Sequence, residues 1–318
     1  MNLHVEIPPE LLIYEVLHER KPLSRDELMQ YERLRRGYLG EKVLENFVAA
    51  TDSDKMIALF DFLFERDETE FQIDCMLLTS GGIILLEAKH YSGDYYLENG
   101  DLFHFQTKQE IRNPLLQSER ATYLFKQLLG ELQVSVDVRS YVVFTNETFL
   151  LYGATPSSPI IFRPQIPRFL QKVDANAGRL TDQTHRLARL LTERRKEQSR
   201  YARKPKYELS AMKVGVFCEM CRGELERENR ESFACMSCER KYLGEDVILY
   251  ATATFHFLFP KEKITTKTIW EWCGKTMTHK NIRKLLQKNL QYHANGRYSY
   301  YTFVNTNSFY QKIKNRLL

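Results

Sequence analysis

Two aliphatic runs separated by four small residues constrain the fold of this 318-residue chain more than any other feature. Phe71 to Leu78 and Ile83 to Lys89 flank Thr79-Ser80-Gly81-Gly82 and read as the arms of an antiparallel hairpin with its turn centred on Ser80 and Gly81. That centre sets Thr79 against Gly82, Cys75 against Leu86, Asp74 against Glu87 and Gln72 against Lys89. Side chains alternate along a strand, so Gln72, Asp74, Glu87 and Lys89 are expected on one face. Two carboxylates directly across a strand pair repel, and their aliphatic neighbours imply that both faces are largely covered. A hard divalent cation with oxygen ligands compensates for this, and a neighbouring ammonium neutralises part of the remaining charge. The same set suits phosphodiester cleavage. A metal polarises the phosphate and lowers the pKa of a bound water, while Lys89 holds the nucleophile or stabilises charge on phosphorus. The competing reading is a half-exposed hairpin with its charges in water, because a register shift of one residue separates the acids.

Length allows two or three domains, since single cores stop growing at roughly 250 residues. Hydrophobic residues make up 43% and charged residues 27%, which argues against disorder and against membrane residence. No apolar run approaches the roughly 18 residues of a spanning helix, and MNLHVEIPPELL lacks a secretion-signal pattern. Four of the six cysteines form two Cys-x-x-Cys pairs, a usage that suits metal binding in a reducing cell. A cytoplasmic protein is expected. The net charge of +5 is unevenly spread: Leu249 to Leu318 carries twelve Lys or Arg against Glu262 and Glu271. A small basic region beside a mildly acidic remainder is the footprint of a polyanion-binding module.

The segment from Pro8 to Leu34 reads as helical and charged. It continues into a helix with Leu39, Val43, Leu44, Phe47 and Val48 on one arc and Glu41 at the margin. After the hairpin, Tyr91 to Phe105 reads as a strand pair with Gly93 and Gly100 as turn points. Asn113 then Pro114 is a cap with proline at the first helical position, opening a helix to about Leu129, and Ser140 to Thr145 reads as a buried strand. The order is mixed α/β. Leu187, Leu190 and Leu191 mark a further helix that ends in the basic run TERRKEQSRYARKPK, taken as a boundary. The expected domains are a helical segment over 1–32, a catalytic domain over 33–203, a zinc segment over 204–248 and a basic domain over 249–318.

Asp74 followed by Glu87-x-Lys89 after a short strand-turn-strand resembles the PD-(D/E)xK nuclease core. More narrowly, GYLGEKVLENF (37–47), FQIDCMLL (71–78), GGIILLEAKHYSGD (81–94) and NPLLQ (113–117) resemble the nuclease-related domain, NERD, over roughly residues 33–150. The resemblance implies a restriction-endonuclease-like mixed sheet flanked by helices. It also implies Mg²⁺ or Mn²⁺ bound by Asp74 and Glu87, Lys89 as the catalytic lysine, and Glu41 contributing from the leading helix. Gln117 occupies the first turn of the Asn113-capped helix, where related folds present a glutamine to the site. Glu41 and Gln117 each have an ordinary surface reading as well. His90 points to the opposite face and has no expected role.

Cys218-x2-Cys221 and Cys235-x2-Cys238 put two pairs of thiolates on tight knuckles, the pattern of a four-sulfur zinc ribbon. With all four positions filled, the zinc is expected to be structural and to supply folding free energy. A redox dithiol pair or an iron cluster is the alternative. Cys75 and Cys273 read as unpaired buried thiols.

Towards the end, Ile264–Trp272 and Thr278–Leu290 read as two helices joined at Gly274, followed by an aromatic hairpin around Asn295-Gly296. This resembles a winged helix-turn-helix, whose second helix enters the major groove. On that analogy His279, Lys280, Arg283, Lys284 and Lys288 approach bases or phosphates, with Arg297 on the wing. A winged helix that contacts protein is the competing reading, and Trp270 and Trp272 read as core. The combined expectation is a metal-dependent endonuclease acting on nucleic acid, double-stranded DNA first, with self-association left open. The alternative is an inactive DNA- or RNA-binding regulator.

Overall fold

The structure, a computed structural model, describes residues 4–197, 199–201 and 205–304. It divides into two units, one formed by Met1–Glu6 with Arg35–Ala202 and the other by Ile7–Leu34 with Arg203–Leu318. Both combine sheets with flanking helices. Among the described residues no helix is long and apolar enough to cross a membrane.

The first unit is organised by the apolar strands β1 (Ile57–Arg66), β2 (Thr69–Thr79), β3 (Gly82–Lys89), β7 (Val138–Phe144) and β9 (Ile160–Phe162), which form one sheet in the order β1-β2-β3-β7-β9. The first three are antiparallel, while β7 and β9 run parallel to β3. The β2–β3 register is the expected one from Thr79↔Gly82 to Cys75↔Leu86. Gly82 has φ +149°, and a Cβ there would lie 2.7 Å from the Asp137 carbonyl, so the turn admits only glycine. One face of the sheet is covered by α3 (Pro114–Glu131), through Phe125, Leu128 and Leu129, and by α5 (Asp182–Arg194), through Ala188 and Leu191. The expected Asn113 cap is present, its Oδ1 accepting from the Leu115 N–H at 2.9 Å; such caps are worth about 1 kcal/mol.

A second sheet has the order β6-β5-β4-β8 and comprises β4 (Gly93–Glu98), β5 (Asp101–His104), β6 (Glu110–Ile111) and β8 (Phe149–Tyr152). Its inner residues Tyr95, Leu102 and Phe149 pack on Val142 and Phe144 of β7. Asn99 and Gly100, both at positive φ, make the tight turn between β4 and β5. The helix α4 (Ile166–Asn176) follows β9.

The N-terminal helical stretch is broken where one continuous run was expected. α1 (Pro9–Arg20) ends before Pro22, and α2 (Arg25–Ala50) begins anew. Ser24 and Glu27 cap it reciprocally: the Glu27 N–H donates to Ser24 Oγ and the Ser24 N–H to Glu27 Oε2, a capping box that restarts the helix.

In the second unit, β10 (Leu225–Arg227), β11 (Ser232–Cys235) and β12 (Lys241–Leu243) form a three-stranded antiparallel sheet. The apolar helix α6 (Gly244–Leu258) follows, then α7 (Thr266–Trp272), α8 (His279–Asn289) and the pair β13 (Gln291–His293) and β14 (Tyr300–Thr302). The Asn295-Gly296 connection is wider than a two-residue turn, because Gly296–Tyr298 forms a 3-10 turn within it. α1 belongs to this unit. Its Arg20 is buried at 1% exposure, with the guanidinium 4.0 Å from the Trp272 ring and 4.6 Å from that of Phe217. It donates to the carbonyls of Gly215 at 2.9 Å and Lys213 at 3.2 Å. Burial lowers its pKa to about 10, which leaves it charged at neutral pH.

Candidate active site and metal centre

The end of β3 presents Glu87 and Lys89, and the first turn of α3 brings Gln117 against them. Lys89 Nζ donates to Glu87 Oε1 at 2.6 Å and to Gln117 Oε1 at 3.2 Å, and Gln117 Nε2 donates to the same Glu87 oxygen at 2.6 Å. The glutamine therefore holds the acid and the lysine together. Asp74 lies beside them on β2, its Oδ2 accepting from the Ala88 N–H at 2.8 Å. Each acid thus commits one oxygen within the protein. Among the described residues, Asp74 Oδ1 and Glu87 Oε2 have no hydrogen-bond partner given by the structure.

Burial raises the pKa of Asp74 to about 8, and Glu87 adds to the rise against the opposing pull of Lys89 and the Ala88 N–H. Burial works against the Lys89 ammonium, but Glu87 and Asp74 outweigh it and hold its pKa above the ordinary value. Glu41, on α2, is pushed well upward by burial and then by the charges of Asp74, Asp61 and Glu87. The close approach of α2 is permitted by Gly40, where a Cβ would lie 3.0 Å from His90 Cβ and 3.3 Å from Thr145 Oγ1. His90 itself pairs with Thr145 at 2.9 Å and stays outside the cluster, as expected.

Asp61 joins this group although the sequence reading passed over it. It has φ +54° within β1. It interrupts the β1–β2 ladder between Phe60↔Cys75 and Phe62↔Ile73, opposite Asp74. Core-facing residues are Ile57 and Leu59 before it and Phe62 and Phe64 after it. On β2 they are Phe71 and Ile73, then Met76 and Leu78. The alternation slips by one residue on both strands while the pairing register is the same on either side, so the interruption is a matched kink at Asp61 and Asp74 with no residue inserted on either strand. For this reason Gln72 does not join Lys89 as strict alternation predicts; its Nε2 donates to Asp61 Oδ1 at 2.9 Å. Arg195 approaches the other Asp61 oxygen at 3.6 Å. The available signal was an acid in the middle of the apolar run IALFDFLF.

The donor set suits a hard divalent cation: the buried carboxylates Asp74 and Glu87, each with an oxygen to spare, raised pKa values at Asp74, Glu41 and Asp61, and a lysine at the margin. Asp74 and Glu87 would be its first ligands. Among the described residues only the four cysteines bring three or more Cys, His, Asp or Glu ligand atoms within 4.8 Å of one another. By that measure Glu41, Asp61, Asp74 and Glu87 do not form a three-ligand cluster.

The cysteine cluster is tighter. Cys218 Sγ lies 3.7 Å from Cys238 Sγ, and Cys221 Sγ 3.3 Å from Cys235 Sγ. Tetrahedral zinc with Zn–S bonds of about 2.3 Å requires edges of about 3.8 Å, so the four thiols fit a zinc ion. The N–H groups of Met220 and Ser237 point at Cys218 and Cys235, each at 3.4 Å. Arg222, in the first knuckle, donates to Glu15 Oε2 at 2.7 Å and to the Tyr31 hydroxyl at 2.8 Å. Cys75 and Cys273 are buried free thiols, as expected.

His279, Lys280, Arg283, Lys284, Lys288 and Arg297 are all solvent-exposed. Lys288 pairs with Glu245 at 2.8 Å, and His279 stands against Trp270. Trp272 is buried and Trp270 half-buried. Their indole N–H groups donate to the carbonyls of Ala251 and Met277, in keeping with core roles.

No curated protein and no solved structure matches the chain. Residues 36–145, a stretch that contains Glu41, Asp61, Asp74, Glu87, Lys89 and Gln117, match the family model of the nuclease-related domain, and over these residues the chain carries a NERD domain.

Proposed function

We propose that the protein is a metal-dependent nuclease that hydrolyses phosphodiester bonds, with DNA as its substrate. The carrying observation is the joint hold of Lys89 and Gln117 on one oxygen of Glu87 beside buried Asp74. Asp74 and Glu87 would hold Mg²⁺ or Mn²⁺, which when bound supplies Lewis-acid polarisation of the phosphate and a water of lowered pKa. Lys89 stays protonated between the acids and offers its charge to the oxygens of the reacting phosphate. Gln117 fixes the directions of Glu87 and Lys89, and Glu41 and Asp61 add negative charge that favours cation capture.

The cysteine cluster would hold structural zinc in a zinc ribbon, and α7, α8 and the β13–β14 pair would act as a winged helix-turn-helix that binds substrate. His279, Lys280, Arg283 and Lys284 on the exposed side of α8 and Arg297 on the wing would meet the phosphate backbone, with Lys288 contributing on release from Glu245.

The test is incubation of the purified protein with plasmid, single-stranded and branched DNA in Mg²⁺ or Mn²⁺. Cleavage by the wild type and its loss in Glu87→Ala, with DNA binding retained, supports the reading. Binding without cleavage in both proteins replaces it with a regulator.

A further inference from the structure

The first unit contains a cleft of about 730 Å³ whose lining includes none of Glu41, Asp61, Asp74 and Glu87. It runs between α4 and the β3–β7–β9 part of the sheet, at the Gly82 end of β3. Glu87 and Lys89 stand at the other end of that strand. Its apolar wall includes Ile84, Ile161, Tyr141 and Phe169, the two rings meeting edge to face at 5.0 Å. α4 contributes Arg168 and Lys172 one turn apart, both exposed, and neither has an ion-pair partner given among the described residues. Arg139 also lines the cleft but is held by Asp137 at 2.8 Å. Two positive charges therefore remain uncompensated over an aromatic and aliphatic floor.

We infer that this cleft is a second ligand site and that it takes a nucleotide, its base against Tyr141 and Phe169 and its phosphates at Arg168 and Lys172. The volume falls within the range of small-molecule pockets, about 300 to 1,000 Å³. Rings supply a stacking surface for a base, and a guanidinium beside an ammonium is the usual receptor for a polyphosphate. Ser158, Gln165 and Asn176 at the lining offer hydrogen bonds to base edges and ribose. The site does not depend on the nuclease reading.

The experiment is titration of the full-length protein with fluorescent methylanthraniloyl-ATP in buffer without added Mg²⁺ or Mn²⁺, which avoids metal-bridged binding at the carboxylates and leaves the four-cysteine cluster undisturbed. Saturable binding that ATP reverses is expected. Arg168→Ala/Lys172→Ala should weaken it at least about tenfold, and Asp74→Asn/Glu87→Gln should leave it unchanged. The two cationic residues are exposed, so their removal should leave the melting temperature near that of the wild type. Failure to bind, equal binding by the Arg168/Lys172 variant, or displacement by adenosine as effective as by ATP each overturns the assignment. A single-stranded oligonucleotide that displaces the probe while ATP does not also overturns it, in favour of a nucleic-acid strand.

Discussion

Asp61 and Asp74 stand opposite each other on β1 and β2 at the step where the ladder between these strands is interrupted. Asp61 adopts φ +54° there, a conformation that asparagine tolerates and most other residues do not. Asp61→Asn should keep the backbone while removing one of the charges that raises the pKa values of Glu41 and Asp74. Calorimetric titration with Mn²⁺ should show affinity reduced several-fold, with the fold retained by circular dichroism. Unchanged affinity would remove Asp61 from the site.

Asp74 links stability to pH in a defined direction. Its folded pKa of about 8 lies above the unfolded value of about 3.9. Between these values the folded state holds a proton that the unfolded state has lost, so stability falls as pH rises through this window. Asp74→Asn should therefore raise metal-free stability at neutral pH, by on the order of a few kcal/mol at about 1.4 kcal/mol per pKa unit. The same variant should lose stabilisation by Mg²⁺. Denaturant melts at pH 5, 7 and 8.5, with and without Mg²⁺, would measure both effects.

Gln117 acts through its two partners. Gln117→Ala leaves Glu87 and Lys89 to pair alone and should lower the cleavage rate about 10- to 100-fold, the usual cost of losing an orienting partner. Gln117→Glu should be worse, since a further carboxylate would compete for Lys89. Single-turnover cleavage at saturating Mg²⁺ separates this effect from metal affinity.

One zinc per chain is expected by elemental analysis, and Cys235→Ser should abolish it. Structural zinc contributes about 10 to 16 kcal/mol of apparent binding free energy in small domains, so the metal-free protein should lose the order of the β10–β12 sheet. Hydrogen exchange there, compared before and after chelation, provides the readout.

Duplex DNA affinity should fall steeply with salt. Removing Arg283 and Lys284 together should reduce the slope of log affinity against log salt by about two. A slope unaffected by both changes would exclude these residues from the phosphate contacts.

The hairpin register, the Asn113 cap and the neighbourhood of Asp74, Glu87 and Lys89 were legible because each rests on short-range rules: a tight glycine turn, a proline after a cap, strand alternation. Gln117 and Glu41 were expected from the resemblance to the nuclease-related domain alone. What escaped was decided by departures from those rules. Asp61 entered through a slip of alternation on both strands at once, which no period-two count reveals. The same slip carried Gln72 away from Lys89. The break between α1 and α2 did have a local signal, Pro22 followed by the Ser24 and Glu27 box, but the charged periodicity on either side concealed it. The partners of Arg20, nearly two hundred residues further along the chain, leave no mark in the local sequence.

Arg20 decides where this chain can be divided. Its partners in the segment Lys213–Gly215 and at Trp272 lie about two hundred residues or more further along the polypeptide, so the first helix is a component of the second unit. A fragment beginning near residue 203 would lack that helix, expose an indole and three carbonyls that its arginine normally covers, and aggregate. Supplying residues 7–34 as a separate peptide should restore its solubility.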